Sequence, residues 1–245
     1  MKAPRIYLPL PLVQGASVTL DARAARHVQR VLRLRAGNPL ILFNGQGHEW
    51  HARLTQTTGP APQAEVVDVL ESGERESPLD IMLMQGISRG ERMDYTLQKA
   101  VELGVKQIWP VWTERSQVKL SGERLARRMQ HWQGIIIHAC EQSGRNVIPP
   151  LIPPETLHES LSQVRTSALC LVLEPSGDYR LSDLDQSPAS ATILAGPEGG
   201  LTASETLFAQ NSGFLPLRLG PRILRTETAG LAAIAALQLQ WGDFR

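Results

Sequence analysis

Five short apolar segments dominate the sequence after residue 78, and they constrain the fold more than any other feature. They are residues 79–84, 107–112, 168–173, 191–195 and 214–219. A continuous apolar run of this length fits a strand that is buried on both faces, as in a parallel sheet. Helical patterns, such as those at 123–142 and 229–240, separate or follow the runs. Strands that alternate with helices predict an α/β domain with a mainly parallel sheet.

The first 70 residues show a different pattern of apolar segments and turn residues. Short strand-like segments, separated by turn residues, lie at 5–10, 17–21, 39–43, 48–57 and 64–70. Asn44-Gly45 predicts a hairpin, because both residues tolerate positive φ. A helix interrupts the strands after Asp21, whose carboxylate can accept hydrogen bonds from first-turn N–H groups. This pattern predicts a small β-barrel that carries one helix.

The two patterns meet at a polar segment, Glu71–Pro78, whose glycine and proline are typical of a linker. We therefore expect three parts in the chain. They are a β-barrel at 1–72, a linker at 73–78 and an α/β domain at 79–245.

Basic residues are concentrated in two regions of a chain whose net charge is only +1. Residues 1–60 contain eight Lys or Arg against two acidic residues, and residues 115–145 contain six against two. Such regions indicate local binding of a polyanion. Part of the charge lies on one face of the first helix: Arg23, Arg26, Arg30 and Arg33. This stripe would hold a phosphate backbone; the alternative is an ordinary solvated helix face.

The sequence excludes several classes of protein. No apolar stretch reaches the roughly 18 residues that span a membrane, and the N-terminus lacks the apolar core of a signal peptide. Cys140 and Cys170 make neither a disulfide framework nor a zinc cluster, and we expect both in the core. His48 and His51 lie in a predicted strand and would point to opposite faces. We expect a cytoplasmic protein without a membrane partner or a metal.

Two segments rich in glycine and proline follow the last two apolar runs. Gly196–Gly200 reads Gly-Pro-Glu-Gly-Gly, and Leu219–Ala229 reads Leu-Gly-Pro-Arg-Ile-Leu-Arg-Thr-Glu-Thr-Ala. Glycine lets the backbone approach a ligand closely, so two adjacent loops of this kind would form a pocket lined by main-chain groups. Arg222, Arg225 and Glu227 would give this pocket a charged rim. The alternatives are a tight strand-to-helix turn and a plain connection.

Neither segment matches a phosphate-binding motif. The P-loop spacing and its lysine are missing, and so is the dinucleotide fingerprint. No G-x-S-x-G nucleophile elbow occurs. A third segment, Ala139–Arg145, clusters polar side chains around a predicted helix stop at Gly144. It is either a further part of a site or a helix C-cap.

Together these segments closely resemble the RsmE family, bacterial small-subunit (16S) rRNA uridine-N3 methyltransferases of the SPOUT superfamily. The Gly-Pro-Glu-Gly-Gly motif marks the superfamily, and its combination with Leu-Arg-Thr-Glu-Thr at 224–228 is much more specific. The likeness covers nearly the whole chain. Its further motifs are Pro4–Tyr7, Arg30–Arg33, Ser88–Arg92, Lys99–Val105 and Glu141–Arg145.

The resemblance implies a fold, a cofactor and partners that periodicity cannot show. The C-terminal SPOUT domain would contain a deep trefoil knot, and the N-terminal barrel would be a PUA-like RNA-binding domain. S-adenosylmethionine (SAM) would be bound, bent, between the loops 173–175, 196–201 and 219–226. The enzyme would be a homodimer, with the last helix in the interface. Its substrate would be a uridine of 16S rRNA in the assembled 30S subunit, near the decoding centre.

The resemblance also assigns roles to residues. The cofactor would be bound by Leu173, Glu174, Gly196, Pro197, Glu198, Gly200, Leu201, Leu219, Gly220, Ile223, Leu224 and Thr226. Arg225 is the first catalytic candidate, because a fixed guanidinium stabilises the anion that forms on uracil N3 and its carbonyl oxygens. Glu198 and Glu227 would act as the base or orient other groups. RNA phosphates would be held by Arg5, Arg23, Arg26, Arg30, Arg33 and Arg145.

Two other functions are open at the level of sequence. A non-catalytic RNA-binding or ribosome-assembly factor would explain the charge, but not two glycine–proline loops at strand ends. A nucleotide-binding enzyme such as a kinase would explain a pocket, but the lysine motif that binds phosphate is missing.

Overall fold

The computed structural model describes residues 3–57, 61–70, 75–117, 120–164, 169–184 and 187–244. The chain divides into two compact units, each with its own sheet. The first unit combines Met1–Glu76 with Ile137–Ile148, and the second combines Ser77–Ile136 with Pro149–Arg245. Of the linker expected at 73–78, residues 73 and 74 lie outside the described residues.

The first unit is built on a five-stranded sheet. Its strands are β1 (Arg5–Tyr7), β2 (Ser17–Thr19), β3 (Pro39–Phe43), β4 (Glu49–Gln56) and β5 (Gln63–Leu70). The strand order is β1-β3-β4-β5-β2, with β1 parallel to β3 and the other neighbours antiparallel. The hairpin predicted at Asn44-Gly45 is confirmed between β3 and β4, and Gly45 has a φ of 84°. Alternate side chains, including Leu40, Leu42 and Trp50, fill the core.

Helix α1 (Ala22–Arg26) begins as predicted at Asp21, whose carboxylate accepts a hydrogen bond from the Ala24 N–H at 2.7 Å. The helix then widens into a π-helical turn over His27–Val31. Arg33 follows in the left-handed region, with a φ of 52°. A wider turn changes the angle between successive side chains. The prediction of four arginines on one regular helical face is therefore wrong.

The second unit is built on a six-stranded parallel sheet. Its strands are β6 (Asp80–Gly86), β7 (Gln107–Trp112), β8 (Glu155–Thr156), β9 (Leu169–Leu173), β10 (Ser190–Ala195) and β11 (Leu215–Leu217). Their order is β11-β9-β10-β6-β7-β8, and every neighbouring pair is parallel. The predicted parallel α/β sheet is confirmed. Its central strands are buried on both faces, as Leu83, Met84, Ile193 and Leu194 illustrate.

Helices accompany this sheet. They are α2 (Glu91–Glu102), α3 (Gly122–Ser143), α4 (Leu157–Gln163), α5 (Ala203–Asn211) and α6 (Thr226–Trp241). Helix α2 packs against α6, and α6 contacts β6 and β10. The predicted α2 stripe is buried: Met93, Leu97, Ala100 and Val101. Strand β8 and helix α4 were not predicted from the sequence, because a two-residue strand and a seven-residue helix are too short to show a clear period.

The last turns of α3 belong to the first unit. The helix stop predicted at Gly144 is confirmed, since α3 ends at Ser143 and Gly144 has a φ of 92°. Cys140 and Cys170 are both buried, as expected. Burial raises the pKa of the Cys140 thiol to about 12, so this thiol stays protonated at neutral pH.

Within the described residues, no helix is both long enough and apolar enough to cross a membrane. The same part of the chain contains no cluster of three His, Cys, Asp or Glu side chains arranged to hold a metal ion. His51 instead contacts the Asp68 carboxylate at 2.9 Å on the exposed face of the first sheet.

Candidate functional site

A cavity of about 470 Å³ lies in the second unit, in the loops that follow β9, β10 and β11. Open parallel sheets bind ligands at this edge, because the loops that leave neighbouring strands converge there. The three predicted loops thus come together. Every residue assigned above to the cofactor lines the cavity: Leu173, Glu174, Gly196, Pro197, Glu198, Gly200, Leu201, Leu219, Gly220, Ile223, Leu224 and Thr226.

The loop from Gly196 to Leu201 forms a tight turn beside the cavity. The Gly200 N–H donates to the Pro197 carbonyl at 2.8 Å, and Gly200 has a φ of 67°. A Cβ atom at Gly196 would lie 2.9 Å from the Leu201 nitrogen and 3.0 Å from the Gly200 carbonyl carbon. The turn therefore requires glycine at position 196.

Buried hydrogen bonds join this turn to the start of α6. Thr226 Oγ1 donates to the Gly196 carbonyl at 2.7 Å, and Gln85 Nε2 donates to Thr226 Oγ1 at 3.1 Å. Gln85 is fully buried at the end of β6 and also donates to the Gly86 carbonyl. These bonds hold the second loop against the first. Gln85 was not predicted from the sequence, because a single glutamine at the end of a strand carries no motif.

Glu198, a predicted catalytic residue, is engaged in holding the turn. Its Oε1 accepts hydrogen bonds from the Arg89 N–H at 2.9 Å and from Arg92 Nη1 at 3.1 Å. Partial burial opposes ionisation of Glu198. However, hydrogen bonds from the Arg89 N–H, its own N–H and Arg92 outweigh burial and lower its pKa. A carboxylate with a lowered pKa is a weak base. The lowered pKa and these hydrogen bonds therefore favour an orienting role for Glu198 over the role of a base.

Arg225 and Glu227 lie at the start of α6. Arg225 is exposed and lines the cavity, and its carbonyl accepts from the Thr228 and Ala229 N–H groups, each at 2.9 Å. One carboxylate oxygen of Glu227, Oε2, is buried without a hydrogen-bond partner in the described part of the chain. The guanidinium is thus available at the cavity, at the end of the helix where the dipole favours an anion.

The segment 219–224 offers backbone groups to the cavity. Among the described residues, none donates to or accepts from its main chain. Ile223 lines the cavity although its side chain is 85% exposed. Backbone N–H and C=O groups need partners, and here solvent or a ligand supplies them.

Arg115 also lines the cavity and was not predicted. Its Nη1 donates to the Gly199 carbonyl at 2.8 Å and to the Leu201 carbonyl at 3.1 Å. Arg115 lies 81 residues before Gly196, in a turn that belongs to no recognised motif. In the sequence, the only sign of a role for Arg115 is its position just after a buried parallel strand.

The arginines expected to hold phosphates divide into two groups. Arg26, Arg30 and Arg33 are exposed. Arg23 instead turns towards its own unit, where it donates to the Tyr7 carbonyl at 2.6 Å and to Glu141 Oε1 at 2.9 Å. These bonds engage the Arg23 guanidinium within its own unit, and the phosphate role of Arg23 stays a prediction.

The predicted phosphate roles of Arg5 and Arg145 are wrong, because both side chains are buried. Arg5 forms an ion pair with Glu49 and donates to the Arg145 carbonyl at 3.0 Å. Arg145 Nε donates to the Glu76 carboxylate at 3.0 Å. Burial, and next the charge of Arg75, lower the Arg5 pKa to about 10, so Arg5 stays charged at neutral pH. The Glu141–Arg145 segment therefore stabilises the first unit.

Arg5→Ala should lower the free energy of unfolding by about 3 kcal/mol, because it leaves the buried Glu49 carboxylate short of a partner. Urea denaturation measures this loss. Arg26→Ala is the matched control, since Arg26 is exposed on α1, and it should change stability by less than about 0.5 kcal/mol. Equal free energies of unfolding for the two variants would show that the buried Arg5–Glu49 ion pair does not stabilise the fold.

Comparison with known proteins agrees with this site. A family model described as an RNA methyltransferase domain matches residues 75–238, and one described as an RNA methyltransferase PUA domain matches residues 20–67. Ribosomal RNA small subunit methyltransferase E of Buchnera aphidicola subsp. Schizaphis graminum is 32% identical, over 99% of this chain and 98% of its own length. The protein of the same name from Synechocystis is 35% identical, over 91% of this chain and 73% of its own length.

Two solved structures are also similar. Ribosomal RNA small subunit methyltransferase E from Neisseria gonorrhoeae, bound to S-adenosyl methionine, has a TM-score of 0.92 and 44% identity, covering 99% of this chain and 100% of that one. A Legionella pneumophila methyltransferase in complex with SAM has a TM-score of 0.96 and 42% identity, covering both chains fully. The family model, the relatives and these structures span nearly the whole chain. The chain therefore belongs to the ribosomal RNA small subunit methyltransferase E family.

Proposed function

We propose that the protein transfers a methyl group from SAM to N3 of a specific uridine of 16S rRNA within the 30S subunit. The observation that carries the proposal is the cavity formed by the loops after β9, β10 and β11, in a chain of this family. Two relatives of over 40% identity are described as bound to SAM. The specificity for uracil N3 rests on the resemblance of the sequence motifs.

The cavity residues fit SAM. A volume of about 470 Å³ lies in the range of sites for small molecules. The main chain of 219–224 has N–H and C=O groups that no described residue engages, and these can pair with the edge of a purine base. A Cβ atom at position 196 would overlap the backbone of its own turn, and the glycine present there leaves that space open. Leu173, Leu201 and Leu219 supply apolar surface beside these polar groups.

Chemistry at uracil N3 requires loss of its proton. When bound, SAM supplies a methyl group made electrophilic by a cationic sulfur. The Arg225 guanidinium would stabilise the negative charge that develops on N3 and its flanking carbonyl oxygens. Glu227, two residues after Arg225 in the chain, would orient the base or accept its proton, whereas Glu198 would hold the turn. Placing the uracil in line with the methyl group supplies a further part of the rate.

The exposed arginines Arg26, Arg30 and Arg33 would hold RNA phosphates. Contacts of this kind set affinity and salt dependence, not the choice of base. Arg26→Ala combined with Arg30→Ala should weaken RNA binding. It should also reduce the magnitude of the slope of log affinity against log salt by about 1.4–1.8, since each phosphate contact contributes about 0.7–0.9 to that slope. Lys106→Ala, an exposed cation paired with Asp80, is the control. An unchanged slope in the double variant would contradict the role of these arginines.

We propose in addition that the protein is a cytoplasmic homodimer with a knotted C-terminal domain. The dimer is supported by α6, which is apolar on most sides and leaves Leu239 63% exposed. The knot is supported by the strand order, because the chain returns after β10 to place β11 on the far side of β9. The cytoplasmic location follows from the proposed rRNA substrate.

Calorimetry with SAM tests the cofactor assignment. We expect one binding site per chain, and loss of that binding when the cavity is altered. RNA binding without any SAM binding at millimolar concentration would instead support a non-catalytic RNA-binding or assembly factor.

A further inference from the structure

The turn 196–201 is held at several points by side chains from other parts of the second unit. Thr226 holds the Gly196 carbonyl, and Arg89 and Arg92 hold Glu198. The remaining part contains Gly200, with its positive φ, and is held by Arg115. Its Nη1 donates to the carbonyls that flank Gly200, at 2.8 Å and 3.1 Å. Hydrogen bonds from a charged donor are stronger than neutral ones.

The turn that carries Arg115 is itself fixed. Thr113 N–H donates to Ser116 Oγ at 3.2 Å, and Ser116 N–H donates to the Thr113 carbonyl at 3.1 Å. Glu114 N–H donates to Glu205 Oε1 at 2.8 Å. Thr113, Ser116 and Glu205 are buried. The Arg115 backbone is therefore held in place, so its guanidinium can act as a fixed support.

The stem of Arg115 also packs on the turn. A Cβ atom at Gly199 would lie 3.2 Å from Arg115 Cβ and 3.3 Å from Arg115 Cδ. Gly199 does not have a positive φ, so its backbone alone would accept alanine. The close packing of the arginine stem is thus what favours glycine at position 199.

We infer that Arg115 is a positioning residue, which holds the turn 196–201 in the conformation that binds SAM. The inference rests on the proposed function. The turn that carries Arg115, which lies outside the three cavity loops, would then contribute to the affinity for the cofactor.

A double-mutant cycle on the full chain tests this inference, with SAM as the titrant in calorimetry. Arg115→Ala should weaken SAM binding about tenfold, because two hydrogen bonds to the turn are lost. Arg115→Lys should lose less, since an ammonium keeps one charged donor. Gly199→Ala should also weaken binding, because its methyl group pushes the stem away. The two alanine changes together should lose less affinity than the sum of the two separate losses, because Arg115→Ala removes the Cγ and Cδ atoms that the added methyl group would meet and leaves only the Cβ atom, at 3.2 Å.

Arg127→Ala is the matched control. This exposed arginine pairs only loosely with Glu123, at 3.6 Å, and its loss should leave SAM binding unchanged. Thermal melting of each variant verifies that it is folded. SAM binding by Arg115→Ala within about twofold of wild type would overturn the inference, and so would additive losses in the double variant. Absence of SAM binding by the wild-type chain would instead overturn the proposed function, and the inference with it.

Discussion

Arg225→Ala is expected to slow methyl transfer to the 30S subunit by about 10²–10³-fold, the usual loss for one removed donor that stabilises an oxyanion. SAM affinity should stay within a few-fold of wild type. The Arg225 carbonyl, not its side chain, accepts the hydrogen bonds that begin α6, so the helix keeps its start when the side chain is removed. Single-turnover methylation at saturating SAM measures the rate without a contribution from binding.

Two variants sharpen this test. Arg225→Lys keeps the charge but loses the planar guanidinium, so we expect a rate between those of wild type and Arg225→Ala. Arg180→Ala removes an exposed arginine that does not line the cavity and should leave the rate unchanged. A rate within a few-fold of wild type for Arg225→Ala, with SAM bound, would remove Arg225 from the mechanism.

Gly196→Ala should weaken SAM binding by more than about 100-fold, because a displacement of about 1 Å in a site has effects of this size. The added methyl group would lie 2.9 Å from the Leu201 nitrogen and 3.0 Å from the Gly200 carbonyl carbon. Relief requires the turn to open, and Thr226 opposes this by holding the Gly196 carbonyl at 2.7 Å. Calorimetry with SAM measures the loss.

Gly134→Ala is the control for this change. Gly134 lies inside α3, where a Cβ atom would meet nothing within 4 Å. Alanine in a helix is more stable than glycine by roughly 0.5–1 kcal/mol, so this variant should bind SAM normally and melt at a higher temperature. SAM binding by Gly196→Ala equal to that by Gly134→Ala would show that the turn is not part of the site.

The parallel sheet and the cavity loops could be predicted because their signals are local. Each apolar run is continuous, Gly196–Gly200 directly follows β10, and Leu219–Ala229 begins two residues after the end of β11. The roles of Arg5, Arg23 and Arg145 could not be predicted in this way. Their acidic partners are distant in sequence, up to 118 residues for Arg23 and Glu141, so composition alone makes buried arginines look like a basic surface.

Helical periodicity also failed at α1, for a different reason. The spacing of its arginines assumes 3.6 residues per turn throughout, and the π-helical turn at His27–Val31 breaks that assumption. Gln85 and Arg115 were missed because each acts through a few hydrogen bonds, to main-chain carbonyls and, for Gln85, also to the Thr226 hydroxyl. Such contacts place no constraint on neighbouring residues, and they leave no pattern in a single sequence.

The central claim is that this chain uses SAM to methylate N3 of one uridine of 16S rRNA. Mass spectrometry of 16S rRNA from unmodified 30S subunits, incubated with the protein and SAM, tests it most directly. We predict one new methyl group, on N3 of a single uridine, present only when SAM is added and strongly reduced with Arg225→Ala. Unmodified rRNA, or a methyl group on another atom or base, would contradict the account.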